Sequence, residues 1–225
     1  MFANQTIAPS AGAEATRQSL LLAALQLFGE KGFDAASTRE LAAAANANIG
    51  SIAYHFGGKA GLYLACGDFI IDRMRALVGA SLDALKDPRH LPRAAARQLI
   101  LMLVQRFAAF LLADKDANLI APFMLRELAH PGQVFEKIYT TAMGPAHQRL
   151  CLVWEAATGE AAENSETILT VFAMIGQVLY FRVAAAAVKK RLGWDQTGAA
   201  EAEAIIAAVT RIAEARLDDR RSAKP

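Results

Sequence analysis

An all-helical (all-α) chain, a small three-helix domain followed by a larger helical body, is what this sequence predicts, and three observations predict it. Hydrophobic residues make up 54% of the 225 positions but aromatics only 8%. Alanine supplies much of the difference, which suits close-packed helices and poorly suits sheets. Apolar residues then recur at three- and four-residue spacing through most of the chain, the rhythm of one buried helix face. Where the rhythm stops, Gly, Pro or Asn stands at the break.

Residues 1–13 contain no Lys or Arg and no continuous apolar run, so they read as a disordered tail and not as a secretory signal. From 14 to 31, Leu20, Leu21, Ala24, Leu27 and Phe28 share one helix face, and Gly32 is placed to cap its C-terminus. Ser37 or Thr38 can cap a second helix running to about Ala45, with Glu40 in its first turn favouring the helix dipole. Asn46-Ala47-Asn48 forms the turn, because Asn tolerates the left-handed conformation that a tight helix-helix turn demands. A short helix covers 49–55, and Gly57-Gly58 ends it.

A long helix opens near Lys59, with Leu62, Cys66, Phe69, Ile70, Met74, Leu77 and Val78 on one face, and ends before Pro88. Pro92 starts a helix to about Ala113, and Asn118 caps a shorter one to Ala129. Pro131 opens another, which Gly144-Pro145 kinks before it resumes toward Trp154. Residues 165–191 and 199–217 form the last two helices, parted by Gly193-Trp194, and Asp218 to Arg221 look solvated. The domains expected are therefore 14–58 and 59–219, with a short tail at 220–225.

The formal net charge is only +2, so the chain is not of the kind that binds nucleic acid through bulk electrostatics, and any such binding is local. Cys66 and Cys151 stand far apart with no second thiol near either, which argues against a zinc site or a disulfide framework and fits a reducing cytoplasm. Neither a metal nor a cofactor is expected. The segment 171–188 is apolar except for Gln177 and Arg182. Those two groups would be costly in hydrocarbon, and the run barely reaches the roughly 20 residues a span needs. A helix buried between subunits, with no membrane partner, is the reading.

The stretch from Ser37-Thr-Arg-Glu-Leu through Asn46-Ala-Asn-Ile-Gly-Ser-Ile-Ala-Tyr-His-Phe56 to Gly57-Gly-Lys59 carries the densest pattern. A capped short helix with an Arg near its start is followed by a tight turn, a small residue before a Ser, then Tyr-His-Phe and a Lys. With the preceding Phe28-Gly-Glu-Lys-Gly-Phe33, this resembles the signature of the TetR family over roughly the first third of the chain. The resemblance implies a helix-turn-helix that reads double-stranded DNA. It places Thr38 and Arg39 on the DNA through the second helix, and Tyr54, His55 and Lys59 on the backbone beyond the recognition helix. Ala53 departs from the family, which often has an aromatic there.

Docking geometry adds its own assignments. A recognition helix presents its N-terminal residues to base edges, which puts Asn48, Ile49, Gly50 and Ser51 at the groove end. Gly50 lets the backbone approach closely, Ser51 can bond a phosphate, and Ile49 can touch a thymine methyl. Arg39 is the best candidate base reader, since a bidentate Arg to guanine discriminates by about 1–3 kcal/mol. Through Lys59, the bases Arg17, Lys31, Arg39 and Lys59 are balanced by Glu14, Glu30, Asp34 and Glu40. A neutral head binds DNA poorly in salt, so two copies must act together and a homodimer is expected.

From about residue 90 onward the chain is similar to the CecR-like regulators within that family. Leu125-Arg-Glu127, Met143-Gly-Pro-Ala-His147, Gly176 to Arg182 and Arg191-Leu-Gly-Trp194 carry the similarity. The resemblance implies a regulatory domain whose last two helices pair with their copies. Phe172, Ile175, Leu179, Ile205, Ile206, Val209 and Ile212 are the residues expected at that interface. A small-molecule effector, bulky and largely apolar, would lie among Phe107, Phe110, Phe123, Met124, Tyr139, Met143, Trp154, Phe172 and Phe181. Arg126, Glu127, His147, Gln177 and Arg182 are the polar candidates, because a buried polar group needs a partner.

The function expected is a repressor released from a palindromic operator when the effector binds. A regulator with the same head but a ligand-independent or partner-controlled second domain is the alternative. An enzyme is the remote one: Glu127-Leu-Ala-His130 has the spacing of half a di-iron site, but no second pair exists. Gly58-Lys59 lacks the upstream glycine of a phosphate loop, and Ser51-Ile-Ala-Tyr-His55 is not a nucleophile elbow.

Overall fold

The computed structural model describes residues 11–222, and among the described residues there is no strand. Helix α1 spans Ala11–Lys31, α2 Thr38–Ala44, α3 Gly50–Phe56 and α4 Lys59–Met74. A π turn over Arg75–Gly79 joins α4 to α5, Ala80–Asp83. Then come α6, Arg93–Ala113, α7, Ala117–Ala129, and α8, Gln133–Ile138. A second π turn, Tyr139–Met143, leads into α9, Gly144–Thr158, followed by α10, Ser165–Val183, α11, Ala185–Leu192, and α12, Ala199–Ser222.

Several boundaries differ from those expected, each for a local reason. Residues 11–13 belong to α1, while the rest of the expected N-terminal tail lies outside the described residues. Asn118 does not cap α7 but sits in its first turn, where its Oδ1 accepts from Arg182 Nη2 at 2.8 Å. The bend expected at Gly144-Pro145 takes the form of the π turn before it, since proline's missing N–H and crowded ring disturb the preceding ladder. The long helix expected over 165–191 breaks at Ala184, whose backbone leaves the helical region at φ −95° and ψ 20°. Asp218 is not merely solvated: it accepts from Arg97 Nη2 at 2.6 Å as α12 continues to Ser222.

The chain divides into two compact units. The first comprises the chain up to Ile70 together with Leu119–Lys137, and so adds most of α7 and α8 to the N-terminal helices. Its core is Leu20, Leu21, Leu25 and Phe28 of α1 with Leu41, Ile52, Leu62 and Cys66. The second comprises Ile71–Asn118 and the chain from Ile138 onward. There α6 is the hub on which α9, α10 and α12 pack around Trp154, whose indole N–H donates to Glu160 at 2.9 Å. By length and hydropathy α6 and α10 could each cross a bilayer; here α6 is the hub of a core and α10 buries Thr167, Thr170, Val171 and Val178 in it. Each unit holds one free, buried thiol, Cys66 in the first and Cys151 in the second. Burial pushes both up, Cys151 to about 11.

Candidate nucleic-acid interface

Helix α2 is fixed by its N-cap. Ser37 accepts from the Glu40 backbone N–H at 3.2 Å, and the Glu40 carboxylate accepts from the Ser37 backbone N–H at 2.9 Å, which completes a capping box. Lys31 at the end of α1 pairs with the same carboxylate at 2.7 Å. The Lys31 ammonium and the Ser37 donors hold the Glu40 carboxyl down at about 2. Asn46 takes the left-handed conformation expected of the turn, at φ 50°. Two residues on, Asn48 accepts from the Gly50 N–H at 2.9 Å through Oδ1, at the entry to α3.

Helix α3 buries only Ile52. Its opposite face is bare: Ile49 is 52% exposed, Tyr54 is 81% exposed, and Gly50 and Ala53 are exposed between them. Ile49, at the N-cap of α3, and Tyr54, in its second turn, are thus large apolar groups left open to solvent. Tyr54 is therefore not core; its ring touches only His55 edge-on at 4.9 Å among the described rings. Thr38 and Ser51 are half-buried, and Arg39 is exposed and forms no ion pair among the described residues. Lys59 lies 4.5 Å over the Phe33 ring and donates to the Asp34 carbonyl at 3.4 Å, which orders the stem and leaves the ammonium without a carboxylate.

The charge balance of the head is even in number and uneven in space. Glu14 pairs with Arg17 at 3.4 Å and Glu40 with Lys31. Glu30 accepts from the Gln26 amide at 3.0 Å. Arg39 and Lys59 are the two cations left over. Arg17 also bears on α3: its guanidinium sits 5.5 Å over the Phe56 ring at the end of that helix. No local motif marks it, because the contact joins α1 to α3.

The residues expected to hold an effector fall in both units. Phe123, Met124, Arg126 and Glu127 belong to the first. Phe123 is sealed in an aromatic cluster with Tyr63, 5.3 Å away, and Tyr63 packs on Phe28 and Phe33. Arg126 donates to the Glu30 carbonyl at 3.1 Å and to that of Gly29 at 3.4 Å, and Glu127 accepts from the Tyr63 hydroxyl. These partners lie on α1 and α4, so Arg126 and Glu127 are both engaged within the first unit. In the second unit, Phe107, Phe110 and Phe181 pack half-buried on the core, Trp154 is fully inside it, Tyr139 is exposed and Met143 half-buried. His147 stacks on Phe172 at 3.9 Å, with Cys151 Sγ 3.7 Å from its Nδ1, and burial pulls the imidazole below its usual range. His147 Nε2 and Gln177 Nε2 are buried without a hydrogen-bond partner. Arg182 is engaged by Asn118.

The residues expected at a pairing face differ in exposure. Ile205 and Val209 lie with Ala213 and Leu217 on the stripe of α12 that packs into its own core. Ile175, Leu179 and Ile206 are half-buried against that core, whereas Ile212 is exposed. An exposed apolar stripe lies on α10, where Leu169, Phe172, Gly176, Tyr180 and Val183 follow one another at helical spacing, with one face of the Phe172 ring against His147.

Two family models match the chain. Residues 20–66 match bacterial regulatory proteins of the tetR family, and residues 96–219 match the C-terminal domain of the HTH-type transcriptional dual regulator CecR. A relative described as HTH-type transcriptional dual regulator CecR, from Shigella flexneri, is 36% identical over 203 residues, covering 88% of this chain and 89% of its own. Among solved structures, AibR in complex with isovaleryl coenzyme A and operator DNA superposes with a TM-score of 0.63 at 14% identity, covering 88% of this chain and 97% of that one. A transcriptional regulator of the TerR/AcrR family from Aquifex aeolicus VF5 gives 0.57 at 16% identity, covering 88% and 98%. With its reading head and its second domain both matched, this chain belongs to the TetR family of bacterial transcriptional regulators, which are not enzymes, and carries a C-terminal domain of the CecR type.

Proposed function

We propose that the chain is a cytoplasmic, ligand-responsive repressor that binds a palindromic operator as a homodimer and leaves it when a small, largely apolar compound binds the second unit. The observation that carries this reading is the exposed face of α3, with Ile49 and Tyr54 uncovered, together with the exposed Arg39 of α2, which forms no ion pair among the described residues. In it Arg39 reads a base, while Thr38, Asn48, Ile49, Gly50, Ser51, Tyr54, His55 and Lys59 complete the contact with groove and backbone. The α10 stripe supports pairing of two copies, which doubles an electrically neutral head into a binding unit. The same fold in AibR holds both isovaleryl coenzyme A and operator DNA, which supports DNA and a small molecule as partners here. The buried ring nitrogen Nε2 of His147 and amide nitrogen of Gln177, together with Phe107, Phe110 and Phe181, form the effector site in this reading. Helix α4, whose residues fall in both units, carries the change to the head.

The test is selection of bound duplexes from random DNA by the purified protein, followed by a screen for compounds that release the winner. A two-fold symmetric consensus is expected. Calorimetric binding of a compound to the second unit with no change in operator affinity would overturn the release mechanism.

A further inference from the structure

Arg126 and Glu127 are neighbours on α7, and both are spent on the helices that carry the reading head. Arg126 occupies two of the carbonyls that α1 leaves open at its C-terminus, those of Gly29 and Glu30. Gly29 permits the approach: a Cβ there would lie 3.0 Å from the Phe123 nitrogen and 3.2 Å from Pro122 Cβ. Glu127 is only 4% exposed. One of its carboxylate oxygens accepts from the Tyr63 hydroxyl of α4, and the other, Oε2, is buried with no partner.

A phenol and a carboxylate are expensive occupants of an aromatic cluster. The ring of Tyr63 packs on Phe28 at 4.9 Å, Phe33 at 5.0 Å and Phe123 at 5.3 Å. A Phe and a Leu would fill similar space with no polar group to satisfy. What the polar pair adds is direction, because a hydrogen bond fixes the register of α4 on α7 where apolar packing tolerates sliding. With Oε2 already unsatisfied, the Tyr63 bond is the carboxylate's one hydrogen bond among the described residues, so its loss would leave both oxygens buried and unsatisfied. Tyr63 lies one turn beyond Lys59, and Phe33 touches both the Tyr63 ring and the Lys59 ammonium. The contact therefore leads directly to a cation of the proposed DNA surface.

We propose that Tyr63 and Glu127, with Arg126 on the end of α1, are positioning residues for DNA recognition. They hold α1 and α4 against α7 so that α2 and α3 present Arg39 and the Ile49–Tyr54 face at the angle the operator requires. This rests on the DNA-reading assignment made above.

The experiment uses the full chain and a duplex selected by the wild-type protein from random DNA. Tyr63→Phe, which removes a single oxygen, and Glu127→Leu are expected to bind that duplex at least about ten-fold more weakly. Glu127→Gln, whose amide oxygen accepts the same bond, is expected to stay within about three-fold of wild type. Binding is measured well below each variant's melting temperature, and backbone amide exchange over residues 50–56 is followed in parallel. Faster exchange there in Tyr63→Phe, with weaker binding in the folded state, supports the positioning role. Wild-type binding by folded Tyr63→Phe and Glu127→Leu, or losses that vanish when the temperature is lowered, would overturn it. Failure of the wild-type protein to select any duplex would instead overturn the DNA-reading assignment on which it rests.

Discussion

Replacing Gly61 by alanine should damage the reading head, although the same change in an ordinary helix is favourable. Gly61 lies in the first turn of α4, under the last residue of α3. A Cβ added there would fall 1.8 Å from the Phe56 carbonyl oxygen and 2.9 Å from its carbon, where real Cβ atoms keep at least 3.0 Å. The Phe56 peptide must therefore yield by about 1.2 Å, the difference between 3.0 and 1.8 Å. Alanine gains about 0.5–1 kcal/mol over glycine in a helix interior, whereas forcing an atom into a filled space costs about 1–3 kcal/mol. The expected net is a loss of about 1–2 kcal/mol by denaturant unfolding. Function should suffer more than stability: α3 is only seven residues long, and Ile52 is its one fully buried side chain. A shift on the order of 1 Å moves its polar atoms out of the window of about 2.7–3.2 Å that hydrogen bonds to DNA require. Anisotropy with a selected duplex should show at least about ten-fold weaker binding. A Gly61→Ala protein as stable as wild type, with unchanged affinity, would refute the reasoning.

Three further outcomes are expected. Arg39→Ala should lower discrimination between the selected duplex and single-base variants by about 1–3 kcal/mol, whereas Lys59→Ala should weaken all duplexes alike and reduce the salt slope by about 1; equal losses of discrimination in both would sink the division of labour. Phe172→Glu should convert a dimer to monomer in sedimentation equilibrium by placing a charge in the middle of the bare α10 stripe, and an unchanged mass would remove that stripe as the pairing face. The Glu40 carboxyl is held at about 2 against an ordinary 4.5, so its share of α2 stability is complete above pH 4.5 and is lost as the pH falls toward 2. Its side-chain carbon should accordingly titrate near 2 by NMR in wild type and higher in Ser37→Ala, and a wild-type midpoint near 4.5 contradicts the capping box.

What the sequence disclosed was local. Ser37 and Glu40 announce α2, Asn46 announces the turn, and Gly57-Gly58 ends α3, because each acts on backbone within a few residues of itself. Ala184 gave no sign that α10 would end there, since alanine is the best helix former and the break belongs to the surroundings. Periodicity found the apolar faces of α10 and α12 but not which way they point. Ile205 and Val209 look no different in sequence from Leu169 and Tyr180, yet the first pair is inside and the second outside. Arg126 and Glu127 were recognisable as polar groups needing partners, but the partners, Gly29, Glu30 and Tyr63, are between 60 and 100 residues away, beyond the reach of any spacing rule.

The burial of one cysteine in each unit has a practical consequence. A sealed thiol with a raised pKa is nearly inert to alkylating agents and peroxide, so each sulfur reacts only when the helices around it part. Labelling at Cys66 therefore times the opening of the DNA-reading unit, and labelling at Cys151 that of the regulatory unit. Mass spectrometry of the two tagged peptides would follow both clocks in a single sample, and a compound that slows only the second would reveal where it docks before its identity is known.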